Sequence, residues 1–250
     1  MVNVGLIGYG KAGMAVAEVL ASDPRYNLRW VARRHANADG ETVSVGAKDI
    51  PVVGLAGGNF DSWLSTHLVD AVVDFSRPDA VFLYGESLRQ RSVALVSAIS
   101  AYNDRELDYV RSLGEHMQVM ASPNITLGIN FLILAAKLLR GIAPFADVEI
   151  LEQHFREKPE VSGTARKIAE TLELDEERIT SLRLGGIVGH HEVIFGFPYQ
   201  TVRLIHSAIK REAFGTGAAF ALSELFIQPP GFYTFDDLLM TRVRQSLQTA

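Results

Sequence analysis

The sequence predicts an α/β protein: a doubly wound, parallel sheet followed by a second, α+β domain built on a mixed or antiparallel sheet. Three observations carry this. The chain opens with an apolar run that meets a glycine-rich turn and passes straight into a helical pattern. Strand-like and helix-like stretches then alternate as far as Ala121, which means parallel strands joined by helical crossovers. From Ile179 onward, strand-like runs follow one another without helices between them, which calls for antiparallel neighbours. The expected domains are residues 1–124 completed by 212–250, and residues 125–211 between them.

In chain order, Val2-Asn3-Val4-Gly5-Leu6-Ile7 reads as a buried strand and Met14–Leu20 as a helix stopped by Ser22-Asp23-Pro24. Between them lies Gly8-Tyr9-Gly10-Lys11-Ala12-Gly13, the spacing G-x-G-x-x-G. Gly8 permits a tight turn, Gly10 lets the backbone approach a pyrophosphate, and Gly13 lets helix and strand pack closely. In a strand–turn–helix setting this predicts a Rossmann-type dinucleotide site; the alternative is a merely tight βα turn. Asn27–Ala32 is the second strand. At its end, where an NAD enzyme usually carries an acid for the ribose hydroxyl, stand Arg33 and Arg34, then His35. Two guanidinium groups suit a 2′-phosphate, hence NADPH, with NADH possible; the alternative is a solvated basic loop end.

Residues 36–68 read as a connector containing Gly40, Gly54, Gly57 and Gly58, with a short strand at Pro51–Val53 and a helical turn at Phe60–Leu64. Val69–Phe75, Ser92–Ser97 and Met117–Ala121 are strands; Asp79–Gln90 and Asp104–Leu113 are helices. Ser122-Pro123-Asn124 breaks the rhythm. Asn130–Gly141 is a hydrophobic helix with Phe131, Leu134, Leu138 and Leu139 spaced for one buried face, and Phe131, Phe195 and Phe197 are expected in the core. Strands are expected at Ile179–Arg183, His191–Phe197 and Thr201–His206, helices at Ala208–Arg211 and Phe214–Phe226, and Gly231–Asp237 as the cap of a last helix.

The stretch from Glu149 to Ala165 holds the chemistry. Glu149-Ile150-Leu151-Glu152 reads as a strand, followed by a polar loop holding His154, Arg156 and Lys158. Ser162-Gly163-Thr164-Ala165 then runs into a helix at Arg166–Leu172. Ser162 is a good N-cap type, and a helix start with glycine presents free N–H groups to an anion. A titratable imidazole, cations and an oxyanion cradle together suit a small acidic substrate that needs a proton; the alternative is a strand, a solvated loop and a capped helix. His190 and His191 adjoin Gly189 in an expected loop, with no carboxylate or cysteine spacing that would make a metal site. His206, at a strand end, reads as structural.

Composition bounds the rest. The chain has 250 residues, 48% hydrophobic and 21% charged, with a net charge of -5 and no cysteine. That fits a folded globular protein, gives no reason to expect nucleic acid or an anionic membrane as partner, and excludes disulfides, thiolate metal sites and cysteine nucleophiles. The first residues carry no signal-peptide pattern and no run reaches the roughly 20 apolar residues of a membrane span, so a cytoplasmic protein is expected.

Six stretches together resemble one family in order and over nearly the whole chain. They are Gly8–Gly13, Asp74-Phe75-Ser76-Arg77-Pro78, Pro123-Asn124-Ile125-Thr126-Leu127-Gly128-Ile129-Asn130, Glu149–Ala165, Ser181-Leu182-Arg183-Leu184-Gly185-Gly186-Ile187-Val188-Gly189-His190-His191, and Gly231-Phe232-Tyr233-Thr234. The sequence is similar to the dihydrodipicolinate reductases, more fully the 4-hydroxy-tetrahydrodipicolinate reductases of bacterial lysine and diaminopimelate biosynthesis. The resemblance implies hydride transfer from NADPH or NADH to a cyclic, conjugated dicarboxylate, and a homotetramer built through the second domain's sheet. It makes His154 the general acid, Lys158 its cationic partner, and Ser162, Gly163 and Thr164 the holders of a substrate carboxylate. It assigns the cofactor to Gly8, Tyr9, Gly10, Lys11, Ala12, Gly13, Arg33, Arg34, Phe75, Ala98, Ser100 and Asn124, and implies no metal.

The sequence departs from the family at the chemistry. Of the motif E-x-H-H-x-x-K, Glu152, His154 and Lys158 fit, while Phe155 replaces the second histidine. The run before Ser162 is one residue shorter, and the family's G-T-T-G loop reads Ala98-Ile99-Ser100-Ala101. Two other readings therefore stay open: a related reductase of a different imine or enamine acid, and a nucleotide-binding paralogue without catalysis. Retention of His154 with Lys158 argues against the second.

Overall fold

The computed structural model describes residues 1–36, 40–57 and 60–248. Gly58 of the connector and the last two residues of the expected first domain lie outside them. The chain divides into two compact units: Met1–Thr126 with Phe214–Ala250, and Leu127–Ala213.

The first unit begins with β1 (Val2–Ile7), α1 (Lys11–Ser22), β2 (Tyr26–Arg33), β3 (Thr42–Val45), β4 (Lys48–Gly54), α2 (Phe60–Thr66), β5 (Ala71–Asp74), α3 (Val81–Gln90), β6 (Ala94–Ser97), α4 (Asp104–Leu113) and β7 (Gln118–Ala121). The second unit holds α5 (Leu127–Ile142), β8 (Asp147–His154), α6 (Gly163–Thr171), β9 (Ile179–Arg183), β10 (Gly189–Phe197) and β11 (Gln200–Ala208). The chain then returns to the first unit through α7 (Glu212–Leu225), β12 (Gly231–Tyr233) and α8 (Phe235–Gln248).

The first sheet has the order β12-β7-β6-β5-β1-β2-β4-β3. Every neighbouring pair is parallel except β3 with β4. β5 and β6 are buried at every residue, so they read as continuous apolar runs, as strands covered on both faces do. After β1 the chain goes to one side through β2 and later to the other through β5, so strand order reverses at β1. Ligands bind such sheets outside the carboxyl ends at that reversal.

Three elements differ from expectation, each because of pairing that local sequence does not display. β3 forms a hairpin with β4 across Gly46-Ala47, where Gly46 has φ +56°. Gly231–Tyr233, expected only as a cap, is a strand laid parallel to β7, and Thr234 performs the capping through reciprocal hydrogen bonds with Asp237. Ala208–Arg211 is not helical: β11 runs on to Ala208, opposite Gly189, and α7 starts at Glu212.

The second sheet, β11-β10-β8-β9, is mixed, with β8 parallel to β9 and antiparallel to β10. Side chains two apart on a strand share a face, so the register stacks the sheet in rows. Ile150 lies opposite Ile179 and Val193, and Val193 opposite Leu204. This row packs with Ile129, Leu132, Ile133 and Ala136 of α5 and Ala165, Ile168 and Ala169 of α6 in one apolar cluster. One row further along β8, Glu152 lies opposite Ser181 and His191, and His191 opposite His206. The face is thus apolar at one end and polar at the other.

On α5 the buried stripe is Ile129, Asn130, Leu132, Ile133 and Ala136. Phe131 and Leu138, expected inside, are 56% and 50% exposed. A helix apolar over most of its circumference offers more than one stripe, and the sheet beneath it selects one. Phe195 is buried, while Phe197 is half-buried at the edge of the same cluster.

Candidate active site

In the first unit the glycine turn is built on close backbone approach. Gly8 has φ +88°, and a Cβ there would lie 2.6 Å from the Phe75 carbonyl. A Cβ on Gly13 would fall 2.0 Å from the Gly8 carbonyl oxygen. Gly10 is the contrary case: among the described residues a Cβ would meet nothing within 4 Å, and no side chain caps α1 there. The first N–H groups of α1 are thus left for an anion at an open helix start, so the turn fits the pyrophosphate of a dinucleotide. Lys11 and Ala12 form the first turn of that helix.

A cleft lined by Ile7, Gly8, Arg33, Arg34, Ser76, Arg77 and Asp79 opens at the carboxyl ends of β1, β2 and β5. Arg33 pairs with Glu41 at 2.6 Å and lies over the Tyr9 ring, 5.3 Å from its centre. Arg34 pairs with Asp79 at 2.9 Å. Both arginines thus stand in the cleft, each with a carboxylate already beside it. Phe75, Ala98, Ser100 and Asn124 follow β5, β6 and β7 and are not among the residues lining it. The Ala98 N–H donates to the Asp74 carbonyl at 2.9 Å, and Asn124 Oδ1 accepts from the backbone N–H and hydroxyl of Thr126.

Sequence reasoning missed Asp74 as a chemical group. It is fully buried at the end of β5 and accepts from the Ser76 N–H (2.8 Å), the Ser76 hydroxyl (2.6 Å) and the Tyr84 hydroxyl (2.5 Å). Burial pushes its carboxyl up to about 6, against the opposing effect of those hydrogen bonds. Between the unfolded value and about 6, the folded chain therefore keeps a proton that the unfolded chain releases. This contribution to stability is present at low pH and is lost as pH rises through about 6. Asp74→Asn removes it, so the variant gains on wild type by roughly 2 kcal/mol between pH 4 and pH 7. Urea unfolding of both proteins at the two pH values measures this; a difference that does not change with pH refutes it.

In the second unit His154 is the last residue of β8 rather than a loop residue, and it is buried. Its Nδ1 lies 2.5 Å from Glu152 Oε2. Glu152 is completely buried, and burial alone would raise its carboxyl. Hydrogen bonds from Arg183, Ser181, His154 and the Ser162 N–H outweigh burial and hold it at about 2. Ser162 occupies the N-cap position of α6, yet its hydroxyl does not cap the helix: it lies 2.8 Å from His191 Nε2. Gly163 and Thr164 open α6, and among the described residues nothing lies within 4 Å of a Cβ placed on Gly163. Lys158 is half-buried and makes no ion pair among the described residues; its carbonyl accepts from Arg183 Nε at 3.0 Å.

His190 and His191 lie within β10 rather than in a loop. The rings of His191 and His154 meet edge to face, 5.3 Å apart. Burial, with the nearby His154 and His206, pushes His191 down to about 3, so it is neutral at physiological pH. The second unit therefore gathers His154, the Ser162 N–H, Ser181 and Arg183 around the Glu152 carboxylate, joins His191 to the Ser162 hydroxyl, and leaves Gly163 and Thr164 at the start of α6, outside that set of donors. Ser181 and Arg183 lie 29 and 31 residues from Glu152, and His191 lies 29 from Ser162, so only strand register brings these pairs together.

The family model "Dihydrodipicolinate reductase, N-terminus" matches residues 2–125, and "Dihydrodipicolinate reductase, C-terminus" matches residues 124–239. This chain belongs to the dihydrodipicolinate reductase family. As a dihydrodipicolinate reductase family member it is an NAD(P)H-dependent oxidoreductase. It is similar to 4-hydroxy-tetrahydrodipicolinate reductase from Caldanaerobacter subterraneus subsp. tengcongensis, 32% identical across 92% of this chain and 94% of that one. The same-named protein from Halorhodospira halophila is 29% identical across 95% and 98%. The solved dipicolinate-bound dihydrodipicolinate reductase from Paenisporosarcina sp. TG-14 shares the fold, with a TM-score of 0.75 over 94% of this chain and 97% of that one at 24% identity. Among the described residues no helix is long and apolar enough to cross a membrane, and no group of three or more histidine or acidic side chains is placed to hold a metal ion.

Proposed function

We propose that this chain acts as a 4-hydroxy-tetrahydrodipicolinate reductase, reducing a cyclic, conjugated dicarboxylate with His154 as proton donor. The observation that carries this reading is the buried Glu152–His154 pair beside the open start of α6. NADPH or NADH, when bound, would supply the hydride; the 4-hydroxy substrate loses water to give the conjugated dicarboxylate that is reduced, so oxidised nicotinamide and water are the other products. Gly8, Tyr9, Gly10, Lys11, Ala12 and Gly13 hold the dinucleotide phosphates, Arg33 and Arg34 the 2′-phosphate, and Phe75, Ala98, Ser100 and Asn124 the nicotinamide half. Ser162, Gly163 and Thr164 hold one substrate carboxylate through hydroxyl and N–H donors. Lys158 supplies a cation for the substrate's negative charge. His154, protonated, gives one proton to the atom adjoining the carbon that receives the hydride, so hydrogen adds across one double bond. Histidine suits this because it exchanges protons near neutral pH.

The reading includes a homotetramer assembled through the sheet face opposite α5 and α6, where Leu182 and Ile205 are exposed, and a cytoplasmic location. The partner is a small anionic molecule, with neither nucleic acid nor membrane involved. Phe155, 41% exposed where the family carries its second histidine, favours one further reading: a related imine or enamine acid with an apolar part. A steady-state assay with 4-hydroxy-tetrahydrodipicolinate and NADPH tests the proposal. Turnover supports it; failure there with reduction of another cyclic imine acid moves the assignment to the second reading.

We expect NADPH to bind more tightly than NADH. Because Glu41 and Asp79 already occupy the two arginines, a 2′-phosphate gains only the excess over those pairs, a preference of about tenfold at low ionic strength. Added salt narrows it, and Asp79→Asn widens it. Equal dissociation constants for the two cofactors at low salt exclude the assignment of Arg33 and Arg34.

A further inference from the structure

Glu152 stands two residues before His154 on β8, so both side chains point to one face of the sheet. Its carboxylate accepts from five donors. Oε1 takes the Ser181 hydroxyl at 2.7 Å, Arg183 Nη2 at 2.8 Å and the Ser162 N–H at 3.2 Å. Oε2 takes His154 Nδ1 at 2.5 Å and Arg183 Nη1 at 2.9 Å. The remaining reach of Arg183 goes to the carbonyls of Lys158 (3.0 Å), Glu160 (2.7 Å) and Leu182 (2.9 Å). One guanidinium therefore fastens the carboxylate, the strand that carries it and the following loop to β9.

We propose that Glu152, clamped by Arg183 and Ser181, is the positioning residue of this site: it fixes His154 as the Nδ1–H tautomer and leaves Nε2 as the nitrogen that exchanges the proton. The inference rests on the reading of His154 as proton donor and adds the device that orients it. An ionised carboxylate can only accept, so the hydrogen in the contact belongs to Nδ1. Nε2 points toward Gly189, where an added Cβ would sit 3.2 Å away, and the missing side chain keeps that nitrogen open. After the imidazolium gives its proton from Nε2, the neutral ring is already in the tautomer that Glu152 holds. No ring rotation is needed between turnovers.

Glu152→Gln tests this on the full chain. Three donors converge on the Oε1 position, so the amide oxygen settles there, and the amide NH₂ faces His154 Nδ1. The ring must then accept at Nδ1 and carry its hydrogen on Nε2. In protein carrying ¹⁵N-labelled histidine, with the His154 signals assigned by their loss in His154→Gln, the neutral wild-type ring should show protonated Nδ1 and unprotonated Nε2. Glu152→Gln should show the reverse. Its kcat should fall by about 10²-fold or more, while substrate KM and NADPH affinity stay within a few-fold. Ser181→Ala removes one donor, keeps the Glu152–Arg183 pair, and should keep the wild-type tautomer with kcat lowered several-fold. A wild-type ring protonated on Nε2, or full kcat in Glu152→Gln, overturns the inference. If Glu152→Gln does not fold, the wild-type spectrum and Ser181→Ala decide: Nδ1–H with reduced kcat supports it, and either one missing overturns it. Full turnover in His154→Gln, with the wild-type tautomer as expected, instead sinks the proton-donor reading on which this inference stands.

Discussion

We expect His154→Gln to lower turnover by about 10²–10⁴-fold, the usual loss when a general acid is removed, and to leave NADPH affinity near wild type. The substitution keeps a polar side chain of similar length, so Glu152 retains a donor partner and the buried carboxylate is not left facing apolar atoms. Its other donors, Arg183 above all, remain in place and hold the strand. We expect Lys158→Ala to lower turnover sharply as well, although Lys158 is half-buried and makes no ion pair among the described residues, so its loss should cost little stability. Stopped-flow measurement of NADPH oxidation, with separate titration of cofactor binding, tests both variants. Full turnover in either one removes that residue from the mechanism.

Gly13→Ala has the largest expected effect on folding. The new methyl group would sit 2.0 Å from the Gly8 carbonyl oxygen and 2.9 Å from its carbon. Both atoms are backbone, so no side chain can swing aside, and the turn itself must open. We expect a loss of roughly 3 kcal/mol or more in urea unfolding and at least a tenfold loss of NADPH affinity. Gly10→Ala is the matched control. Its methyl meets nothing within 4 Å among the described residues, so unfolding should change by only a few tenths of a kcal/mol while cofactor binding weakens. Equal unfolding midpoints for Gly13→Ala and wild type would show that the close approach is not needed.

Much of the first unit was legible because its signals are local. The helix at Asp104–Leu113 has the bounds its sequence implies, and Asn103 with Glu106 forms the reciprocal cap that starts it. The glycine turn announces itself in six residues. β12 was invisible for the opposite reason: three residues show no periodicity, and only docking beside β7 makes them a strand. On α5 nearly every turn carries apolar residues, so sequence gave no means of choosing the stripe that Ile129, Ile133 and Ala136 occupy. In the candidate site, His154 and Lys158 stand out through the motif that carries the family resemblance. The contacts of Ser181, Arg183 and His191 do not, because contacts between strands depend on register. The Ser162 hydroxyl shows the same limit: it suits a helix cap by type, and a histidine on a neighbouring strand takes it instead.

The division of the first unit between the two ends of the chain has a consequence for synthesis on the ribosome. β7 is complete at Ala121, but its partner β12 begins at Gly231. At about 5–20 residues per second, the intervening chain takes roughly 5–20 seconds to appear. Throughout that interval β7 is a bare sheet edge with unsatisfied N–H and C=O groups, a template for strands of other nascent chains. The second unit, contiguous from Leu127 to Ala213, has all its strands before β12 is made. The second unit can therefore fold while the first still waits for its last strand, and that exposed β7 edge is the place where a nascent chain most needs shielding.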